Sequence, residues 1–417
     1  MIRAAGWFLL TRAVLFCAVL VPWPPECRSY EFPSPADPAA SVVARPPWRP
    51  TPEAPTPGDL GRLWQVSPNA PFLDAFARWD ASFYFHIAAF GYRSEGEPEV
   101  PMRCGFLPGY AFAVDGATRA LNALLGGGFA LPADPSRFWI ALAAAVLVSN
   151  AGLFAAMLLL RRFGTALSGD VGVGDRAALL LCAAPTSFFL SAALSEGLFL
   201  FLSTASLWCA FRRHVFAAAL CAGAAAFVRP PGLFLALPLL AAICERRTSF
   251  RQVVIDALKL LLVPAGFVAA ASFAARATGR WNAYFLAQAD FGHERFPTLD
   301  GVRTLFAFAD KTPEARVRDA LQIVALAAAF LSAFLLWRAP ATRSFRGALV
   351  LWLVVGAVFP VLSDDLISMP RYAAALFPLY LGFATLPRAT AAPVVVLCVV
   401  AQAAGFLAFS RSWPILI

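Results

Sequence analysis

Long apolar runs alternate along this chain with short breaks that carry arginine. The runs at 138–160, 253–275, 320–337 and 391–409 can each carry a helix through a hydrocarbon core, which takes about 20 residues. A first helix is expected within 1–22, with Arg12 reaching an interface along its own aliphatic stem. No small-x-small site follows it, so it reads as a retained helix rather than a cleaved leader. The pattern changes at Pro22. Between Pro22 and Pro71 lie 14 of the 33 prolines, which excludes a regular helix and predicts an extended or irregular loop. Beyond it Trp79, Phe83, Ile87 and Phe90 recur at helical spacing, predicting a short amphipathic helix on or dipping into the membrane and ended by Gly91. Segments 177–190, 215–228 and 233–244 are too short to span fully. Short helices leave polar turns sunk below the bilayer surface, where backbone is tolerated only if it lines a cavity.

Composition agrees with the pattern. The 417 residues are 60% hydrophobic and 14% charged, with mean hydropathy +0.68, whereas soluble domains carry roughly a quarter charged residues. A soluble enzyme is nearly excluded, and the fold class expected is an all-α polytopic membrane protein. The net charge of +9 is compatible with nucleic acid, an anionic membrane or a phosphate-bearing ligand; in a membrane chain arginine first sets topology, so no nucleic-acid partner is expected. If residues 23–136 form one large extracytoplasmic loop, Arg161-Arg162, Arg212-Arg213, Arg246-Arg247, Arg338 to Arg346 and Arg388 all fall inside, as the positive-inside rule asks. That parity gives a bundle over 137–417 and about eleven transmembrane helices in all, N-terminus inside. Segment 105–131 is the ambiguous one, apolar yet carrying Asp115 and Arg119. Cys27 and Cys104 share the outer loop, where a disulfide is feasible. His86, His214 and His293 are too scattered to suggest a metal cluster, and no cofactor is expected. Gly172-Val173-Gly174 with Ala177 fits a degenerate dinucleotide fingerprint, but no strand precedes it.

The outer turns hold the candidate chemistry: Asp80 after Trp79, Glu196 in Leu194-Ser195-Glu196-Gly197, Arg229 before two prolines, and Arg371 after Met369-Pro370. Charges near a membrane boundary are costly unless paired or used. Arginine presents a fork of donors that matches phosphate, and a carboxylate can take a proton from an attacking hydroxyl. The plain alternative for Asp80 is a helix cap. A membrane transporter or lipid flippase also fits the composition, but it should carry its ionisable residues at the midplane within broken helices.

Arg78-Trp79-Asp80-Ala81 with Ile87-Ala88 and Gly91-Tyr92-Arg93-Ser94-Glu95, then Gly105-Phe106-Leu107-Pro108, resembles the first luminal loop of the GPI mannosyltransferase 2 (PIG-V) family and its bacterial relatives. Ala184-Pro185-Thr186-Ser187-Phe188-Phe189 leading to Ser195-Glu196-Gly197-Leu198-Phe199, then Phe227-Val228-Arg229-Pro230-Pro231-Gly232 and Pro370-Arg371-Tyr372 with Phe377-Pro378, are similar to that family's later motifs, in its order. The resemblance implies a GT-C-type bundle and an inverting mannosyltransferase that uses a polyprenyl- or dolichyl-phosphate mannose donor and a glycolipid or glycan acceptor. For a eukaryotic chain it implies the second mannose of the GPI anchor, in the endoplasmic reticulum membrane. The arginine- and alanine-rich, lysine-poor composition favours a bacterial plasma membrane, and a GT-C enzyme for another sugar is the near alternative. On this reading Asp80 and Glu196 are the catalytic candidates, and Arg78, Trp79, Tyr92, His86, Arg229 and Arg371 bind substrate. The proline-rich stretch before Arg78 looks longer than the family needs, and the link over 97–103 looser.

Overall fold

The computed structural model describes residues 2–19, 71–92, 99–127, 139–245, 249–290, 298, 313–363, 368–387 and 391–410. Among these, every regular element is helical, which bears out the all-α expectation. The stretches Trp139–Ser168, Phe250–Thr278 and Ala315–Arg338 are long and apolar enough to cross a membrane. The first holds 30 residues, a length of about 45 Å at 1.5 Å per residue. Shorter apolar helices, including Ala4–Val19, Glu196–Phe211, Val215–Val228 and Arg346–Leu362, pack around these three. Most of the proline-rich stretch, Cys27 and His293 lie outside the described residues.

The helix Trp139–Ser168 is the spine, packing against Gly109–Leu124, Val171–Ala183 and Glu196–Phe211. Its crossing with Glu196–Phe211 is set by two glycines: a Cβ on Gly152 would sit 2.6 Å from Gly197 O, and one on Gly197 would run into Ser149 O. With no side chain at either position the backbones approach closely enough to bring the start of Glu196–Phe211 against the spine. Gly174, part of the degenerate fingerprint, has the same duty in the first turn of Val171–Ala183, where a Cβ would collide with Arg161 O. Asp170 caps Val171–Ala183 by accepting from Gly172 N–H at 2.7 Å. These glycines serve helix packing, and no dinucleotide loop is formed.

Two expectations are corrected. Arg12 does not snorkel to an interface. It is only 4% exposed and donates to Cys182 O at 3.0 Å and to Ser191 Oγ, reaching Ser187 O and Gln402 Oε1 at 3.4 Å. The helix Ala81–Phe90 does not lie on a surface with one wet face, because Tyr84, Phe85, His86 and Ile87 are four consecutive buried residues. The reason is Gly109–Leu124 and the Met102–Gly105 turn, which cover the faces that periodicity alone left open. Phe106 stacks on Phe83 at 4.6 Å and meets Tyr84 edge-on at 5.4 Å between ring centroids. The ambiguous segment contains a 16-residue amphipathic helix, Gly109–Leu124, with Asp115 and Arg119 paired at 2.8 Å on its polar side.

Candidate active site

Four charged side chains from four separate parts of the chain meet at one point. Asp80 precedes Ala81–Phe90, Glu196 opens Glu196–Phe211, Arg229 follows Val215–Val228, and Arg371 lies in Met369–Ala374. Arg229 Nη1 and Arg371 Nε both donate to Glu196 Oε1, and Arg371 Nη1 donates to Asp80 Oδ2. Two cations and two carboxylates thus balance, as buried charges require when water is excluded.

Local sequence explains each placement. Arg229 ends its helix in extended backbone, and the Pro230-Pro231-Gly232 run that follows turns at once into the Pro230–Leu235 3-10 helix. A Cβ on Gly232 would strike Ala225 and Ala226 backbone, so only glycine lets the chain fold back on the helix it has just left. The Arg229 guanidinium then lies 5.5 Å from the Tyr372 ring centroid and 6.0 Å from that of Phe199, two aromatic faces that favour a cation. Ser195 Oγ accepts from Arg229 Nη1 at 3.0 Å and shares a hydrogen with Tyr84 OH at 2.8 Å. Below it, Ser149 Oγ donates to Leu194 O at 3.0 Å and meets Tyr110 OH at 2.8 Å, fixing the turn that delivers Glu196.

Asp80 and Arg371 are held by strained backbone. Trp79 has φ +60° and Ser368 φ +68°, two of the three non-glycine residues with positive φ among those described. Such conformations cost of order 1–3 kcal/mol, persist only where surroundings impose them, and concentrate at functional sites. At Ser368 the imposing contact is Gln322, whose Oε1 accepts from Met369 N–H at 2.6 Å. Asp80 makes no side-chain cap bond to its helix; its carboxylate is committed to Arg371, and the capping alternative loses its geometric basis.

The partners differ in access. Glu196 is fully buried, and its Oε2 has no hydrogen-bond partner, whereas the Asp80 side chain is 28% exposed. Asp80 is therefore the open edge of the cluster and Glu196 its floor. An apolar groove of about 410 Å³ runs between Val215–Val228 and Leu262–Thr278, walled by Leu202, Leu220, Phe227, Val228 and Leu262. Phe227 and Val228 lead directly into Arg229.

The remaining sequence candidates have other contacts. Arg78 Nε donates to Ser410 O at 2.9 Å, tying the loop to the Ala391–Ser410 helix. Tyr92 OH donates to Phe106 O at 2.7 Å. His86 is buried with its ring 5.2 Å from that of Phe90, and half-buried Trp79 shapes the backbone before Asp80. Tyr84, Ser195 and Gln322 were not singled out in the sequence. Ser195 sits beside Glu196, and Tyr84 lies one turn after Asp80, but neutral polar residues in apolar helices give little signal of their own.

No curated protein matches the chain. Among solved structures it is similar to the Archaeoglobus fulgidus oligosaccharyltransferase tethered to an acceptor peptide containing the NVT sequon, at 14% identity and a TM-score of 0.41, over 98% of this chain and 56% of that one. This chain thus spans little more than half the length of that neighbour. Residues 65–260, which include Asp80, Glu196 and Arg229, match the model of the family described as mannosyltransferase (PIG-V), and this bears out the resemblance drawn from their motifs.

Proposed function

We propose that the protein is an integral-membrane glycosyltransferase of inverting mechanism that moves mannose from a polyprenyl- or dolichyl-phosphate donor to a glycolipid or glycan acceptor, within a GT-C-type bundle over 137–417 and its outer loop. The family match supports glycosyl transfer in a membrane. The observation that carries the finer reading is the convergence of Asp80, Glu196, Arg229 and Arg371 in one charge-balanced cluster; an apolar groove is walled by Phe227 and Val228, the two residues that precede Arg229. A lipid phosphate has the same two parts, an anionic head and an apolar tail.

Inverting transfer needs a base on one side of the anomeric carbon and a leaving phosphate on the other. Asp80, at the open edge, is the acceptor-side base. Arg371 and Arg229 face the donor phosphate through their guanidinium N–H groups. Because the leaving group is already a phosphate, guanidinium donors stabilise its departure directly. Glu196 holds both arginines through Oε1, and its unpartnered Oε2 is the acceptor for a sugar hydroxyl when the site opens. The test is transfer from radiolabelled lipid-phosphate mannose in membranes, set beside lipid-phosphate glucose and a nucleotide sugar. Transfer from the first alone supports the reading. Transfer from the nucleotide sugar alone overturns the donor class, and transfer from lipid-phosphate glucose alone changes the sugar.

A further inference from the structure

The Asp80–Arg371 pair poses a chemical problem for the reading above, on which this inference rests. A base must turn to the incoming hydroxyl, yet the Asp80 carboxylate is held against Arg371 through Oδ2, which leaves Oδ1 free but fixes where it points. Arg371 in turn must face the phosphate, yet its Nη1 is engaged by Asp80. One event can release both. We propose that the donor phosphate displaces Asp80 from Arg371, so that the acceptor-side base is freed only when the donor is bound, and donor binding precedes productive acceptor binding.

The geometry shows which bond gives way. Arg371 is anchored twice: its Nε lies on fully buried Glu196, and its backbone follows Ser368 and the Gln322-held Met369. Asp80 is the partly exposed member, bound to the cluster by a single ion pair, with no cap bond to its own helix. A buried guanidinium does not give up its anion to nothing, because an unpaired charge there is far costlier than an exchanged one. A phosphate oxygen arriving at Nη1 supplies the replacement. The Arg371–Glu196 contact is kept, and the Asp80 carboxylate, still charged, turns to the acceptor side.

The step then balances. The acceptor O–H bond breaks and its proton goes to Asp80; the acceptor oxygen bonds to the anomeric carbon. The bond from that carbon to the phosphate oxygen breaks, with its electron pair left on the departing lipid phosphate. When that product leaves, Asp80 returns its proton to water and re-forms the pair with Arg371. An empty site therefore holds the Asp80 carboxylate against Arg371, and a donor-loaded site releases it to the acceptor side.

The product side supplies a probe, undecaprenyl monophosphate, doped into nanodiscs over a range wide enough to read a complex a hundredfold weaker than the native one. If Asp80 competes with phosphate for Arg371, Asp80→Asn tightens binding by about fivefold or more, even though it removes the base. Removing a negative charge would tighten binding by its field alone, so the same change is made in an Arg371→Gln background. Displacement predicts that the gain shrinks there to less than twofold, a non-additive cycle; an equal gain in both backgrounds overturns it, as does unchanged or weaker binding by Asp80→Asn. Asp80→Ser repeats the measurement should the amide chain fold poorly. Failure of the wild-type chain to bind the probe at all would instead strike the lipid-phosphate reading itself.

Discussion

Two of the buried arginine sites among the described residues are built differently. Arg229 and Arg371 are balanced by two carboxylates, one of them partly exposed, with strained residues beside Asp80 and Arg371. Arg12 is as deeply buried, but its partners are carbonyls, two serine hydroxyls and the Gln402 amide, and no carboxylate among the described residues pairs with it. Gln402 Nε2 also donates to Cys182 O and Ala184 O at 3.0 and 2.8 Å, so this knot ties the end of Val171–Ala183 to the Ala391–Ser410 helix. The difference separates fastening from chemistry. A set of neutral acceptors fixes helices to one another, whereas a charge-balanced set with one partly exposed member can exchange a partner with a ligand.

The comparison can be broken at either end. The largest effect is expected from Glu196→Gln, which leaves two buried guanidiniums without their shared carboxylate; about 3–5 kcal/mol of stability should be lost, read as poor extraction and a lowered Tm in detergent. Arg12→Met should cost less, about 1–3 kcal/mol for the backbone acceptors it strands. Transfer per folded molecule should stay within twofold of the wild type, and a large fall in kcat there would erase the distinction between the two sites. Arg371→Lys keeps the charge and loses the fork, so donor KM should rise about tenfold, or roughly 1.4 kcal/mol. Equal donor saturation in both chains would remove Arg371 from the donor side. The smallest effect belongs to Arg280, which forms an exposed pair with Glu99 at 2.7 and 2.9 Å. Surface pairs of this kind contribute little, and Arg280→Ala should change neither Tm nor transfer measurably.

What the sequence made legible was charge in the wrong place. Asp80, Glu196, Arg229 and Arg371 were found because each interrupts apolar sequence at an expected outer turn, and the structure brings these four into contact. Which of them touch was not legible: Asp80 and Arg371 are 291 residues apart, and no local pattern encodes that pairing. Arg12 was misread for the same reason, since its partner Gln402 lies 390 residues away. The helix Ala81–Phe90, expected as an amphipathic helix on or dipping into the membrane, is buried on both sides. Its periodicity marks one apolar face, while the residues that bury the other come from Met102–Gly105 and Gly109–Leu124. Glycine proved more readable in hindsight as a packing residue than as a ligand loop: Gly152, Gly174 and Gly197 all stand where two backbones touch. Arginine parity predicts that residues 23–136 are extracytoplasmic, so in a cysteine-less chain a cysteine at position 55 should be labelled from outside and one at position 165 should not; outside labelling of position 165 would overturn that topology.

The central claim is that the cluster's open carboxylate does the chemistry. Its most direct test is transfer from lipid-phosphate mannose by Asp80→Asn, measured per folded molecule beside the wild type. The amide keeps the side chain's size and its ability to accept a hydrogen bond from Arg371, but cannot take the acceptor's proton. The account predicts normal expression and membrane insertion with transfer reduced about a hundredfold or more, the usual scale for loss of a general base. A folded Asp80→Asn chain that transfers mannose at a near-native rate would contradict it.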